Sequence, residues 1–168
     1  LRQHDCYLTA GGFESNRLQY ARYRRITEQF YIPLERLVLM GRDHVQMDDG
    51  IRRLYSQSAG LAHLLMDGNG GELREGLFKY LELVYQGKDD SSSLATVLGK
   101  ATGELDSQYG RFLVVRDQDL ARLPPAVSLN NLTLGSCPIS DQGIQHLAGQ
   151  QELRWLDLTG TMVSDKGF

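Results

Sequence analysis

Residues 129–134, Leu129-Asn130-Asn131-Leu132-Thr133-Leu134, recur 24 positions later as Leu153-Arg154-Trp155-Leu156-Asp157-Leu158. The likeness runs on past the leucines. At the same offset Cys137 falls on Thr161, Ile139 on Val163, Ser140-Asp141 on Ser164-Asp165, Gly143 on Gly167 and Ile144 on Phe168. Chance can align a few leucines, but it does not also align Ser-Asp-x-Gly. One more step back finds a degenerate copy. Val115 falls on Ile139, Asp117 on Asp141, Leu120 on Ile144 and Leu123 on Leu147, while the strand leucines Leu132 and Leu134 fall on Gln108 and Gly110. Pro124-Pro125 breaks the chain just before the first full strand.

An L-x-x-L-x-L run followed by Cys or Thr resembles the leucine-rich repeat family. Ile139-Ser140-Asp141-Gln142-Gly143-Ile144 is similar to the I-[ST]-D-x-G-[LI] signature of bacterial, planctomycete-type repeats. The resemblance implies a solenoid in which each copy supplies one strand and one short helix, and neither copy buries its leucines alone. Leu132, Leu134, Leu156 and Leu158 then point inward. Ser140 or Asp141 caps a short helix carrying Ile144 and Leu147. Cys137 and Thr161 become small buried polar groups where the chain turns inward, a structural role in preference to a redox or metal one. The outward strand positions, Asn131, Thr133 and Gly135 in one copy and Trp155, Asp157 and Thr159 in the next, form a concave face. The expected protein-binding residues are Asn131, Thr133, Trp155, Asp157 and Thr159, because an exposed Trp beside an Asp suits an interface. Alternatively, Trp155 covers an edge or packs on the helical region.

Residues 1–111 have a different texture, with helical periodicity broken by glycine. Leu18, Tyr23, Ile26 and Phe30 predict a helix over 15–31, capped by Ser15 or Asn16 and ended by Pro33, with arginines 17, 22, 24 and 25 mostly off its apolar stripe. Leu34, Leu37 and Val38 predict a short helix. Ile51, Leu54, Tyr55, Ser58, Leu61, Ala62 and Leu65 predict the clearest one, over 51–66, stopped by Gly68-Asn69-Gly70-Gly71. Further helices are expected over 72–86, over 92–99 and over 103–111, the last with Leu105 and Tyr109 on one side. The expected fold class is α+β: an N-terminal helical bundle over 1–111, then the start of a leucine-rich repeat solenoid over 112–168.

Composition narrows the function classes. The 168 residues are 41% hydrophobic and 23% charged, a globular balance. The net charge of −3 lacks the basic excess of an electrostatic nucleic-acid binder. Two cysteines, Cys6 and Cys137, make no disulfide framework. No stretch is long and apolar enough to span a membrane. No H-E-x-x-H, zinc spacing, G-x-S-x-G or P-loop occurs, so no cofactor, metal ligand or catalytic residue is assigned. His63 reads as a packed or hydrogen-bonded side chain, His4 and His146 stand in no His/Cys cluster, and His44 with Asp43, Asp48 and Asp49 reads as a solvated loop without EF-hand spacing. Arg17, Arg22, Arg24 and Arg25 with Tyr20 and Tyr23 could bind an acidic partner, and a solvated helix face explains them as well. Asn131-Leu132-Thr133 is formally a glycosylation sequon overlapping the strand.

The helical region carries a second resemblance. Tyr55-Ser56-Gln57-Ser58-Ala59-Gly60-Leu61-Ala62-His63-Leu64-Leu65 is similar to a Y-x-Q-S-x-x-L-x-x-x-L helix of uncharacterised bacterial proteins of the gluzincin-type metallopeptidase superfamily. Residues 32–37, 77–87 and 94–105 resemble its neighbouring segments, so the likeness covers roughly 14–112. It implies descent from a C-terminal helical subdomain whose H-E-x-x-H site would lie before Leu1, and no catalytic residue carries over. The opening on Leu1 and the break at Phe168 in mid-repeat lead us to expect a piece of a longer protein. Two functions follow as expectations. One is a non-catalytic interaction or scaffold module that meets a protein partner through the concave face. The other is a non-catalytic fragment of a zinc-peptidase-like protein. The sequence leaves the compartment and the oligomeric state open.

Overall fold

The computed structural model describes residues 16–40, 50–123 and 129–168. Seven helices precede the first strand among these residues. They are α1 (Asn16–Ile26), α2 (Leu34–Leu37), α3 (Ile51–Asp67), α4 (Arg74–Tyr85), α5 (Ser93–Leu98), α6 (Thr102–Leu113) and α7 (Asp117–Leu120). Strand β1 (Asn131–Thr133), helix α8 (Asp141–Gln145) and strand β2 (Trp155–Asp157) follow, and 3-10 turns stand at Gly68–Gly70 and Asp165–Gly167. Ser15, Pro124 and Pro125 lie outside the described residues.

The helices gather around α3, where Leu54, Leu61, Leu64 and Leu65 recur at three- and four-residue steps and are buried. Helices α1, α4 and α6 pack against it. Its stripe differs from the expected one at Tyr55 and Ser58, which are exposed, and at Gln57, which is buried. Gln57 binds the backbone of Ile32 at both ends, accepting from its N–H at 3.0 Å and donating to its carbonyl at 2.6 Å. This closes the bend between α1 and α2. A second core lies under the strands, formed by Leu120, Leu134, Cys137, Ile139, Ile144 and Leu147.

The strands are parallel, with Asn131 opposite Trp155, Leu132 opposite Leu156 and Thr133 opposite Asp157. That register reproduces the offset read from the sequence. The expected solenoid is nevertheless overturned. The described residues are mostly helical, 55% of them, with two short parallel strands, and show no solenoid. The physical reason lies in the degenerate copy. Gln108 and Gly110, where its strand leucines should stand, are inside α6, so the copy adds no strand to the stack. Two three-residue strands are fewer than the three or so copies that repeat stacking needs for its own stability, and the pair rests on helices instead.

Polar side chains tie the copies together. The Asp117 carboxylate accepts from the Ser140 N–H at 2.9 Å and from its hydroxyl. One copy later, Asp141 accepts from the Ser164 N–H at 2.6 Å and from its hydroxyl at 2.8 Å. Each serine also caps its own turn: Ser140 accepts from Gln142 N–H at 3.2 Å and Ser164 from Lys166 N–H at 3.3 Å. The aspartate thus reaches forward to the next copy, and the serine does the capping.

After β1 the chain turns through Ser136 at φ 61°, and the matching residue after β2 is Gly160 at φ 69°. A side chain in this left-handed region costs about 1–2 kcal/mol, part of which glycine's unfolded-state entropy offsets. Ser136→Gly is therefore expected to raise stability by about 0.5–1 kcal/mol, read as a shift of the urea midpoint. An unchanged or lower midpoint would show that the serine side chain contributes more than its backbone geometry costs.

Candidate functional site

Four of the five expected binding residues stand on the strands, with Thr159 two residues past β2, and helix α1 divides them. Arg22 is buried and donates from Nη1 to the Thr133 carbonyl. Burial pushes its guanidinium below the ordinary arginine value, with Cys137 and Asp157 opposing that fall. Gln19 sits on the adjoining turn of α1, where a Cβ on Gly135 would come within 2.8 Å of Gln19 Oε1 and 3.0 Å of Asp157 Oδ2. Arg22 Nε and Gln19 Oε1 are buried without a partner among the described residues. Thr133, Gly135 and Asp157 therefore lie under α1, on the covered part of the face. Asp157 is half-buried, and its Oδ1 accepts from the Thr159 N–H at 2.9 Å.

The other part of the face is open. Asn131 and Thr159 are exposed, and Trp155 is 56% exposed on β2, directly across from Asn131. The strand backbone beneath it is held by Arg154 N–H to the Asn130 carbonyl at 2.8 Å and by Leu134 N–H to the Asp157 carbonyl at 2.9 Å.

Sequence reasoning missed Arg22 and Gln19 because it set the α1 arginines apart from the apolar stripe. A signal was present: Arg22 lies four residues from both Leu18 and Ile26, on the line of the stripe. The remaining arginines separate by contact. The Arg25 guanidinium lies 4.4 Å over the Tyr31 ring, and Arg24 bonds Glu28 and Ser56.

Cys137 is a free thiol, buried with Sγ 3.9 Å from the Leu113 carbonyl, and burial raises its pKa. Thr161 donates to the Leu158 carbonyl at 2.7 Å. His146 is exposed. His4, His44, Cys6, Asp43, Asp48 and Asp49 lie outside the described residues. Among the described residues, no group of three or more His, Cys, Asp or Glu is placed to hold a metal ion, and no helix is long and apolar enough to cross a membrane.

His63 is buried, with Nδ1 3.7 Å from Asp67 Oδ2. Burial lowers its pKa below the ordinary 6.5 and Arg22 adds to the fall, while Asp67 opposes it. The folded state thus favours the neutral imidazole, and the unfolded chain takes up the proton first. Stability is full above about pH 6.5 and is lost as pH falls below that value towards the lower folded pKa. The urea midpoint of the wild type should fall between about pH 7 and about pH 5. His63→Leu should flatten that fall; an equal slope in the variant assigns the loss to other groups.

Comparison with protein-family models, curated proteins and solved structures finds no match to this chain.

Proposed function

We propose that the chain is a non-catalytic protein-interaction or scaffold module that meets its partner through the open part of the strand face. The supporting observation is Trp155, the chain's one tryptophan, left 56% exposed on a short strand between exposed Asn131 and Thr159. A large rigid side chain with an indole N–H gives much contact area for little lost conformational freedom, so such residues dominate interface energies. The backing is stiff, because the strand pair is hydrogen-bonded and tied to α1 through Arg22. Asp157 lies on the part of the face that α1 covers, so Asn131, Trp155 and Thr159 carry the contact.

The test isolates the partner complex and compares Trp155→Ala and Thr159→Arg with wild type. Loss of the partner by at least about tenfold in affinity is expected for Trp155→Ala, with the thermal midpoint held within a degree or two. Footprinting of the complex should protect Trp155 from oxidation. A partner retained equally by both variants, with Trp155 still oxidised in the complex, sinks the reading.

A further inference from the structure

The geometry points to a second binding site, for a phosphate monoester, in the cleft between α1 and α3. The cleft holds about 600 Å³ and is lined by Arg17, Tyr20, Arg24, Arg52, Tyr55 and Ser56. That volume falls in the range of small-molecule sites. Three guanidiniums converge there, with no carboxylate in the lining, on a chain whose net charge is −3. Glu28 offsets Arg24 from one side, and an anion in the cleft would meet the Arg52 guanidinium and the remaining edge of Arg24.

The cleft is also built to hold a guanidinium in place. Ser56 is buried, and its hydroxyl donates to the Arg52 carbonyl at 2.8 Å. Its oxygen then accepts from Arg24 Nε at 3.3 Å, and Glu28 takes Arg24 Nη1 at 3.1 Å. Arg24 is pinned along one edge, and its Nη2 keeps no partner among the described residues. The Arg52 guanidinium makes no ion pair or hydrogen bond among the described residues. By contrast Arg25 and Arg53 are spent on aromatic rings, Tyr31 at 4.4 Å and Phe30 at 4.9 Å.

The residue types select the ligand. Planar guanidinium forks match the oxygens of phosphate, and the Arg52 fork together with the remaining edge of Arg24 suits a dianion with three acceptor oxygens better than a single carboxylate. Tyr20 and Tyr55, about half exposed, offer ring faces for the organic part and hydroxyl donors for its polar atoms. This site is separate from the Trp155 face, and either can fail without the other.

The experiment titrates the whole chain, in buffer free of phosphate, with phenyl phosphate, inorganic phosphate and benzoate. Phenyl phosphate should bind saturably, more tightly than either of the others, and more weakly as salt rises. Arg52→Glu, at an exposed residue, and Arg24→Ala should each weaken it by about tenfold or more. Arg154→Ala, beside the strands, should leave it unchanged, and Ser56→Ala tests the pinning of Arg24. A peptide carrying phosphotyrosine distinguishes the source: tighter binding than phenyl phosphate assigns a protein-borne phosphate, and equal binding assigns a free small molecule. Absence of saturable binding to phenyl phosphate overturns the proposal. So does equal affinity in a folded Arg52→Glu variant, or binding of benzoate or inorganic phosphate as tight as that of phenyl phosphate.

Discussion

Gly143→Ala is expected to lower the unfolding free energy by about 2–3 kcal/mol. A Cβ at this position would stand 2.6 Å from Asp117 Cγ and 3.1 Å from its Cβ, with the carboxylate oxygen closer still. Neither group can step aside cheaply. Gly143 lies within α8, and the Asp117 carboxylate is held by the N–H and hydroxyl of Ser140. An added methyl group must push the carboxylate off those donors, which leaves the Ser140 N–H short of its acceptor. Overpacking and a lost charge-assisted bond then add. Removing the obstacle should rescue the variant: in an Asp117→Ala background, Gly143→Ala should cost at least about 1 kcal/mol less than it does alone. Urea unfolding of the four chains measures this coupling. Additive single effects would show that the carboxylate is not what glycine makes room for. The prediction also accounts for the Ser-Asp-x-Gly spacing. The aspartate of one copy reaches the serine of the next, and the glycine clears the path. Gly167 repeats the arrangement, since a Cβ there would lie 3.0 Å from Asp141 Oδ1.

Tyr109→Ala should cost about 3–5 kcal/mol, the range for a buried aromatic cut to alanine. Tyr109 is wholly buried on α6, where α1 and α3 come together. Its hydroxyl donates to the Gln57 carbonyl at 2.5 Å, and its ring centroid is 5.9 Å from that of Tyr31. A Cβ on Gly60 would stand 2.6 Å from the same hydroxyl and 2.9 Å from Ala21 Cβ, so the three helices meet without spare volume. Tyr109→Phe keeps the ring and loses one hydrogen bond, for a cost of about 1 kcal/mol. The gap between the two variants separates packing from hydrogen bonding. Thermal or urea unfolding reads both, and a Phe variant as unstable as the Ala variant would overturn this division. Because α1 also carries Gln19 and Arg22, loosening it should uncover Thr133 and Asp157. Faster amide exchange at Leu134, whose N–H bonds the Asp157 carbonyl, is the expected companion effect of Tyr109→Ala.

Much of the local structure was legible in the sequence. The helix expected over 51–66 is observed at Ile51–Asp67, and the one expected over 103–111 at Thr102–Leu113. Both carry apolar residues at three- and four-residue spacing, and such a stripe forms a helix wherever it finds a core. The buried polar residues were not legible. Gln57 and Arg22 occupy stripe positions, but their partners, the Ile32 backbone and the Thr133 carbonyl, lie 25 and 111 residues away. Nothing in the local pattern announces a backbone group arriving from that distance. Tyr55 was misplaced for the complementary reason. It has stripe spacing, yet it is about half exposed among the described residues, and it lines the arginine cleft.

The sequence by itself determined the offset of 24 residues and the pairing of Asn131 with Trp155 and Thr133 with Asp157; the bonds from each aspartate to the serine of the next copy came from the structure. A repeated pattern encodes its own register, because each copy meets a neighbour of the same kind. Only the tertiary structure decided that the described residues show no solenoid, that α1 covers half the strand face and leaves Trp155 open, and that Arg17, Arg24 and Arg52 share one cleft. Those outcomes depend on contacts between unlike segments, and their geometry follows from how the helices pack against one another and against the strands.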